Sequence, residues 1–184
     1  MTADVLRILI VSDTHGRTDR LEKVLAKAPA YEWLIHAGDH AADDWDDIAA
    51  NVREAGCTLL NVCGNCDATG SADVERTFDA LGVPGLILHG HTMQVKTSPL
   101  PLFYRAREAG AKWVVYGHTH MPTLYVEEDI VFLNPGSLSY PRGYTEPTYA
   151  HVEMRRTLAG VEAVFCFYTL GGMPISAFDL THRF

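Results

Sequence analysis

The sequence of 184 residues has few cysteines, few basic residues and no long apolar run, and each scarcity excludes a class of protein. Its four cysteines, at positions 57, 63, 66 and 166, lack the dense, even spacing of a disulfide-stabilised secreted domain. The chain has only 15 Lys and Arg against 23 Asp and Glu, and this excess of acidic residues argues against a protein that binds long nucleic acids by neutralising their phosphates. No apolar run approaches the roughly 18–20 residues of a membrane span, so we expect no membrane association.

The N-terminal stretch from Met1 to Val11 has no small-residue cleavage site of the kind that ends a signal peptide. We therefore expect a cytoplasmic protein with reduced thiols. The C-x-x-C motif from Cys63 to Cys66 lacks the second cysteine pair that a zinc ribbon needs. A thioredoxin-like redox motif is the less favoured interpretation of this segment. With 47% apolar residues, the chain has the composition of a globular protein, and its length predicts a single domain over residues 1–184.

The first third of the chain alternates between short apolar runs and amphipathic segments. The runs predict buried strands at Val5–Val11, Trp33–His36 and Thr58–Cys63. The segments predict a helix that starts near Thr18, a possible N-cap, and closes at Pro29, and a second helix over Asp43–Glu54. This β-α-β-α-β order is typical of a parallel sheet with helical crossovers.

The rest of the chain predicts mostly antiparallel strands around one more helix. A hairpin is expected at Thr77–Leu81 and Leu86–Leu88, with its turn over Gly82–Gly85, and then a helix from Ser98 to about Ala109. Further strands are predicted at Trp113–Tyr116, Leu124–Val126, Ile130–Leu133, Thr148–Glu153 and Val161–Tyr168, with connecting turns at 127–129 and 155–160. The predicted fold is α/β, with two packed β-sheets flanked by helices.

Histidine is the residue type whose placement is most informative. Seven of the nine lie at or beside ends of predicted strands: His15, His36, His40, His89, His91, His118 and His120. Ligands of open α/β sheets bind beyond the carboxyl ends of the strands. Asp13 with His15, His89 with His91, and His118 with His120 are spaced i, i+2, and such residues point to the same side of an extended backbone. Each strand end can thus direct two donor atoms to one point.

Imidazole and carboxylate together favour Zn, Mn, Fe, Ni or Co as a ligand set. The candidate metal ligands are Asp13, His15, Asp39, Asn65, His89, His118 and His120. Seven donors suffice for two ions if Asp39 bridges them, and paired ions of this kind catalyse phosphoester hydrolysis. Each motif alone has an ordinary structural explanation, since an Asp after a strand commonly caps the next helix. We read His36 as a buried, hydrogen-bonded residue, His40 and His91 as neighbours of the site, and His151 and His182 as surface or packing residues.

In its order of motifs, the sequence resembles the calcineurin-like metallophosphoesterase superfamily. The matching blocks are Asp13 with His15, Gly38-Asp39, Gly64-Asn65, His89, and the GHTH run at 117–120. The GNCD, GHTHMP and NPGS runs at 64–67, 117–122 and 134–137 are similar to the compact phosphodiesterase branch of bacteria and archaea. The resemblance covers residues 7–168 and implies a β-sandwich with two mixed sheets flanked by helices, and a dinuclear centre.

The resemblance also implies the ligands of each ion. The first ion would be held by Asp13, His15, Asp39 and His120, and the second by Asp39, Asn65, His89 and His118. The implied cofactors are two divalent transition-metal ions, with Mn preferred and Ni, Fe, Zn or Co open. The implied reaction is hydrolysis of a small phosphodiester, for which a hydroxide bridging the ions would be the nucleophile. Many members have His where this chain has Cys66. This difference suits diesters with good leaving groups, or a protonated water or His91 as the proton donor.

Residues beside the ions are candidates for binding the substrate: Cys66, His40 and Arg142. Two alternatives to the phosphodiesterase stay open. One is a phosphomonoesterase acting on a small phosphorylated substrate. The other is a scaffold protein with little catalysis, like the subunit of the eukaryotic retromer complex that has this fold. No long nucleic acid is expected as a partner, and the oligomeric state is open.

Overall fold

In a computed structural model that describes residues 4–184, the chain forms two β-sheets packed face to face. The first sheet has the strand order β11-β10-β9-β1-β2-β3 and the second the order β4-β5-β6-β8-β7. The strands of the first sheet are β1 (Val5–Val11), β2 (Trp33–His36), β3 (Thr58–Asn61), β9 (Thr148–Thr157), β10 (Gly160–Thr169) and β11 (Leu180–Arg183). Those of the second are β4 (Glu75–Ala80), β5 (Val83–Leu88), β6 (Trp113–Tyr116), β7 (Pro122–Glu127) and β8 (Ile130–Pro135).

Three helices cover the outer faces of the two sheets. Helices α1 (Thr18–Lys27) and α2 (Trp45–Glu54) pack on the first sheet, and α3 (Leu100–Glu108) packs on the second. The α/β fold with two mixed sheets flanked by helices is therefore confirmed. No helix of residues 4–184 combines the length and the apolar character that crossing a bilayer requires.

The unbroken apolar run of β1 is explained by burial on both faces of its strand. Ile8 and Ile10 face the core between the sheets, and Leu9 and Val11 lie under α1 and α2. A strand that is buried on both sides needs no alternation of polar and apolar residues. Strand β1 pairs in parallel with β2, and β2 with β3, as the β-α-β-α-β order predicted.

The turn of the first hairpin was predicted wrongly at Gly82–Gly85, because the observed turn begins one residue earlier and ends three residues earlier. The structure turns at Leu81 and Gly82, whose φ values are 57° and 87°, and Val83–Gly85 already belong to β5. A two-residue turn with both central residues left-handed matches the twist of the flanking strands. The Gly82 amide also donates to Asp79 Oδ1 at 2.7 Å, which stabilises this tight turn.

Other boundaries of helices, strands and turns differ from the predicted ones by a few residues. The second helix starts at Trp45 rather than Asp43, and Thr18 is the first residue of α1 rather than a capping residue before it. The expected turn at 155–160 is shorter, because β9 continues to Thr157 and β10 begins at Gly160. Strand β11, at Leu180–Arg183, had not been predicted; its exposure alternates and it carries few apolar residues.

Candidate metal centre

The carboxyl ends of β1, β2, β5 and β6 meet at one end of the sandwich, and backbone hydrogen bonds join the loops that leave them. The Asp13 amide donates to Gly38 O at 3.0 Å, and the His15 amide donates to Asp39 O at 2.9 Å. In the second sheet the Gly117 amide donates to His89 O at 3.1 Å. Backbone hydrogen bonds thus join the loop after β1 to the loop after β2, and the loop after β5 to the loop after β6.

Five of the candidate ligands have left-handed backbone conformations. Their φ values are 53° for Asp13, 45° for His15, 57° for Asp39, 67° for His118 and 62° for His120. The expected extended geometry of the i, i+2 pairs was therefore wrong at these loops. Residues other than glycine adopt this region at a cost of about 1–3 kcal/mol each, and such residues cluster at functional sites. The interloop hydrogen bonds offset this cost and hold the loops in their sharp turns.

The donor atoms of six candidate ligands form two groups that share one residue. The first group contains Asp13, His15, Asp39 and His120, and the second contains Asp39, His89 and His118. Within each group, the donor atoms all lie within 4.8 Å of one another. Asp39 belongs to both groups, so its carboxylate has the position that a bridging ligand requires.

Unpaired polar atoms show that these groups fit metal ions. His120 Nε2 lies 3.1 Å from Asp13 Oδ1, and His89 Nε2 lies 3.2 Å from Asp39 Oδ2. Yet among the described residues neither Asp13 Oδ1 nor His89 Nε2 has a hydrogen-bond partner, although both are buried. Buried polar atoms without partners are costly, and divalent cations would satisfy them. The donor set of imidazoles and carboxylates is one that transition metals prefer.

Backbone carbonyls fix the orientation of two of the imidazole rings. His89 Nδ1 lies 2.8 Å from Ala37 O, and His120 Nδ1 lies 2.9 Å from Tyr140 O. A carbonyl oxygen only accepts, so each Nδ1 carries the proton and donates it. The lone pair of each Nε2 is then directed into the site. Such hydrogen bonds behind the ligating nitrogen are a regular feature of histidine metal sites.

The electrostatic environment keeps the Asp39 carboxylate charged and the imidazole of His118 neutral. Burial opposes the charge of Asp39, but the adjacent His89 holds the pKa of that carboxyl below its usual range. Burial alone would lower the pKa of His89, and the charges of Asp39 and Asp13 raise it instead. Burial and the neighbouring His89 lower the pKa of His118 to about 4. A neutral His118 has a free lone pair at neutral pH.

Asn65 and Cys66 lie at the rim of the second group. The Cys66 amide donates to Asp39 Oδ1 at 2.8 Å, so this loop lies directly against the shared carboxylate. A Cβ at Gly64 would overlap the Asp39 carboxylate, so only glycine allows this approach. The Asn65 side chain is exposed and donates to Cys66 Sγ at 3.3 Å, and its role as a metal ligand stays a prediction. Burial, with Asp39 nearby, raises the pKa of Cys66 to about 11.

The other candidates occupy different positions around the centre. His91 is partly buried, with its ring 5.4 Å from that of His89. Arg142 is exposed, and its amide donates to His120 O at 2.9 Å. His40 is only 4% exposed and stacks on Trp45 with ring centres 4.5 Å apart, so we interpret it as a supporting residue rather than a substrate contact.

The remaining histidines have the structural roles expected of them. His36 is fully buried between Thr14 Oγ1, 3.1 Å from its Nε2, and the Gly38 amide, which donates to its Nδ1 at 3.2 Å. Burial lowers the pKa of His36 to about 3. His151 packs with its Nε2 3.0 Å from Ala30 O, and His182 lies edge-on to Phe184.

Asp67 is a residue that the sequence reasoning missed. Its fully buried carboxylate accepts hydrogen bonds from the amides of Asp39, Ala41 and Gly64, at 2.8, 2.7 and 2.7 Å. It also lies 3.1 Å from His40 Nδ1. Asp67 therefore ties the loop after β2 to the loop after β3. The available signal was the GNCD run, whose last residue had been given no role.

A comparison with protein families agrees with this geometry. Residues 6–157 match the model of the calcineurin-like phosphoesterase superfamily domain. The chain belongs to the calcineurin-like phosphoesterase superfamily. As a calcineurin-like phosphoesterase it is an enzyme, a metallophosphoesterase, of a family that uses divalent metals.

Relatives of this calcineurin-like phosphoesterase match it over most or all of its length. The probable metallophosphoesterase YsnB of Bacillus subtilis is 30% identical over 179 residues, which cover 97% of this chain and 98% of YsnB. Phosphodiesterase YfcE of Escherichia coli K12 is 24% identical over 172 residues, covering 81% and 88% of the two chains. A solved structure of a predicted phosphoesterase from Streptococcus pneumoniae superposes with a TM-score of 0.83 at 25% identity, over 100% of both chains.

Proposed function

We propose that the protein is a phosphodiesterase that hydrolyses small phosphodiesters at a centre of two divalent transition-metal ions. The observation that carries the proposal is the pair of donor groups that share Asp39 and contain buried donor atoms without partners. The first ion is assigned to Asp13, His15, Asp39 and His120. The second is assigned to Asp39, Asn65, His89 and His118, with Asn65 completing a group that otherwise has three donors.

The bound ions would activate water and hold phosphoryl oxygens, the chemistry that paired metals supply to phosphoester hydrolysis. The chain's own residues set the conditions for it. Asp13 and Asp39 provide only two negative charges, so a centre with two dications keeps about +2 and attracts a phosphate ester. This local charge outweighs the net charge of −8 of the whole chain.

Hydrolysis forms a bond from a water oxygen to phosphorus and breaks the bond to the leaving oxygen, which must then gain a proton. Cys66 stands where many family members have His, and its raised pKa makes the thiol a weak acid. His91 is the other candidate for donating that proton: it lies beside His89, and its Nδ1 has no hydrogen-bond partner among residues 4–184.

Two observations favour a diester over a monoester substrate. Cations at the rim are few, with Arg142 exposed and Lys96 close enough to affect His118, which suits the lower charge of a diester. The relative YfcE is named a phosphodiesterase. The phosphomonoesterase stays the alternative. A scaffold role is disfavoured, since all seven candidate ligands are present in this sequence.

The proposal predicts metal-dependent turnover of diesters. Chelator-treated protein should not hydrolyse bis(p-nitrophenyl) phosphate, and Mn²⁺, Ni²⁺ or Co²⁺ should restore hydrolysis. A spectrophotometric screen over aryl diesters, cyclic nucleotides and p-nitrophenyl phosphate checks this, with Mg²⁺ as the control ion. Faster hydrolysis of the monoester than of every diester would support the alternative. No turnover of any ester, with a stoichiometric partner recovered from native lysate, would support a scaffold.

The state of the four cysteines is the basis for a proposed cellular location. All four have free thiols, and Cys63 and Cys66 are not bonded to each other. Free thiols favour a reducing compartment, so we propose the cytoplasm.

A further inference from the structure

An exposed aromatic ring lies directly beside the first donor group. The Tyr140 side chain is 62% exposed, and its ring centre lies 5.5 Å from that of His15 at an interplanar angle of 55°. Its carbonyl oxygen is the acceptor for His120 Nδ1. Tyr140 thus touches one candidate ligand through its ring and another through its backbone, while much of its surface faces solvent.

The backbone around Tyr140 is held in place from several directions. The Tyr140 amide donates to Ser137 Oγ at 2.9 Å, and the hydroxyls of Ser137 and Ser139 donate to Asp13 O at 2.9 and 3.0 Å. The guanidinium of Arg20 donates to the carbonyls of Leu138 and Ser139 at 2.9 and 3.0 Å. The backbone that carries the ring is thus already ordered, which lowers the entropic cost of binding a ligand against the ring.

The loop residues on the same side of the centre as Tyr140 include an exposed methionine and two arginines. Met121, which follows His120, is 46% exposed and packs on Gly143. The Arg142 amide donates to His120 O, which joins the two loops on this side of the centre. Arg17, which precedes α1, has its guanidinium paired with Asp19.

We propose that Tyr140 determines specificity, by offering its ring as a stacking surface to a flat aromatic group on the ester substituent that is not cleaved. The inference rests on the proposed phosphodiesterase function and names the substrate class: phosphodiesters that carry a nucleobase or an aryl group. Aromatic side chains stack on bases regardless of base identity, because every base has a π-face. Single exposed aromatic residues are common on protein surfaces, so it is the position of Tyr140 that matters.

The test compares substrates that share one leaving group. The three probes are p-nitrophenyl thymidylate, phenyl p-nitrophenyl phosphate and ethyl p-nitrophenyl phosphate, each of which releases p-nitrophenolate. Tyr140→Ala should raise KM about five- to tenfold for the first two, the size of a lost stacking contact, and leave KM for the ethyl ester within about twofold. Tyr140→Phe should behave like the parent protein, because it keeps the ring.

A binding measurement and a matched variant complete the experiment. Calorimetric titration of the metal-loaded protein should show weaker binding of thymidylate to Tyr140→Ala and unchanged binding of inorganic phosphate. Tyr104→Ala is the control, since Tyr104 is 60% exposed on α3 and contacts Phe103. It should change neither KM nor affinity.

The outcomes separate the two proposals. An equal effect of Tyr140→Ala on all three esters, or no effect on any, would overturn the role of Tyr140 while leaving the phosphodiesterase intact. An effect on the nucleoside ester alone would restrict the substrate class to nucleotides, and an effect on both aromatic esters would support the general form. Absence of turnover of all three esters by the parent protein with every metal would refute the proposed function itself.

Discussion

Asp39→Asn is expected to reduce phosphodiester turnover by about a thousandfold or more, a loss of about 4 kcal/mol in transition-state stabilisation. The substitution keeps the shape of the side chain. Its carbonyl oxygen can still accept the hydrogen bond from the Cys66 amide, which Asp39 Oδ1 accepts at 2.8 Å. Its nitrogen would replace the oxygen that lies 3.2 Å from His89 Nε2, and an amide nitrogen has no lone pair for a metal.

The effect should be confined to this position in the loop. Asp43→Asn is the matched control, because Asp43 is an exposed acid that follows Asp39 in the loop between β2 and α2. This variant should keep the turnover rate of the parent protein. Turnover of bis(p-nitrophenyl) phosphate with saturating Mn²⁺ measures both variants, and circular dichroism checks that both are folded. A folded Asp39→Asn protein with more than a tenth of the parent rate would refute the bridging role of Asp39.

Asp67→Asn is expected to weaken metal binding by about ten- to a hundredfold, the usual effect of removing a residue that positions ligands. Asp67 contacts the backbone of the loops and not the donor groups themselves. Its two oxygens accept from the amides of Asp39, Ala41 and Gly64. An asparagine would place an NH₂ group against at least one of these amides and leave a buried donor without an acceptor.

This lost acceptor should also lower stability. An unsatisfied buried donor costs about 1–3 kcal/mol, so the free energy of unfolding of metal-free Asp67→Asn should fall by about that amount. Urea titration measures stability, and competition with a chromogenic chelator measures affinity for Mn²⁺. Asp73→Asn, at an exposed acid of the same loop, is the control. A stability loss with unchanged metal affinity would show that Asp67 supports the fold only.

The sheets and the order of the candidate ligands could be predicted because they follow from local patterns. The run Val5–Val11 is apolar throughout because both faces of β1 are buried, and this pattern is visible without a structure. Strand β11 has no such pattern: it pairs at an edge of the first sheet and alternates in exposure. Its pairing with β10 depends on contacts distant in the sequence, so local patterns did not reveal it.

The residues of the metal centre could be predicted from the sequence, but their backbone conformations could not. The spacing of His118 and His120 indicates that both reach one site, but their left-handed backbones depend on the neighbouring loops. Asp13 Oδ2, for example, accepts hydrogen bonds from the Ser12 hydroxyl at 2.7 Å and the His118 amide at 3.1 Å, across the two sheets. Asp67 escaped prediction for the same reason, since its three amide donors are contributed by loops that meet only after folding.

Metal content measured alongside turnover tests the central claim most directly. Metal-free protein is titrated with Mn²⁺ while bound metal per chain and hydrolysis of bis(p-nitrophenyl) phosphate are recorded in the same samples. Two donor groups that share Asp39 predict that activity reaches its plateau at two ions per chain. Full activity at one ion per chain, or full activity without metal, would contradict a dinuclear centre built on Asp39.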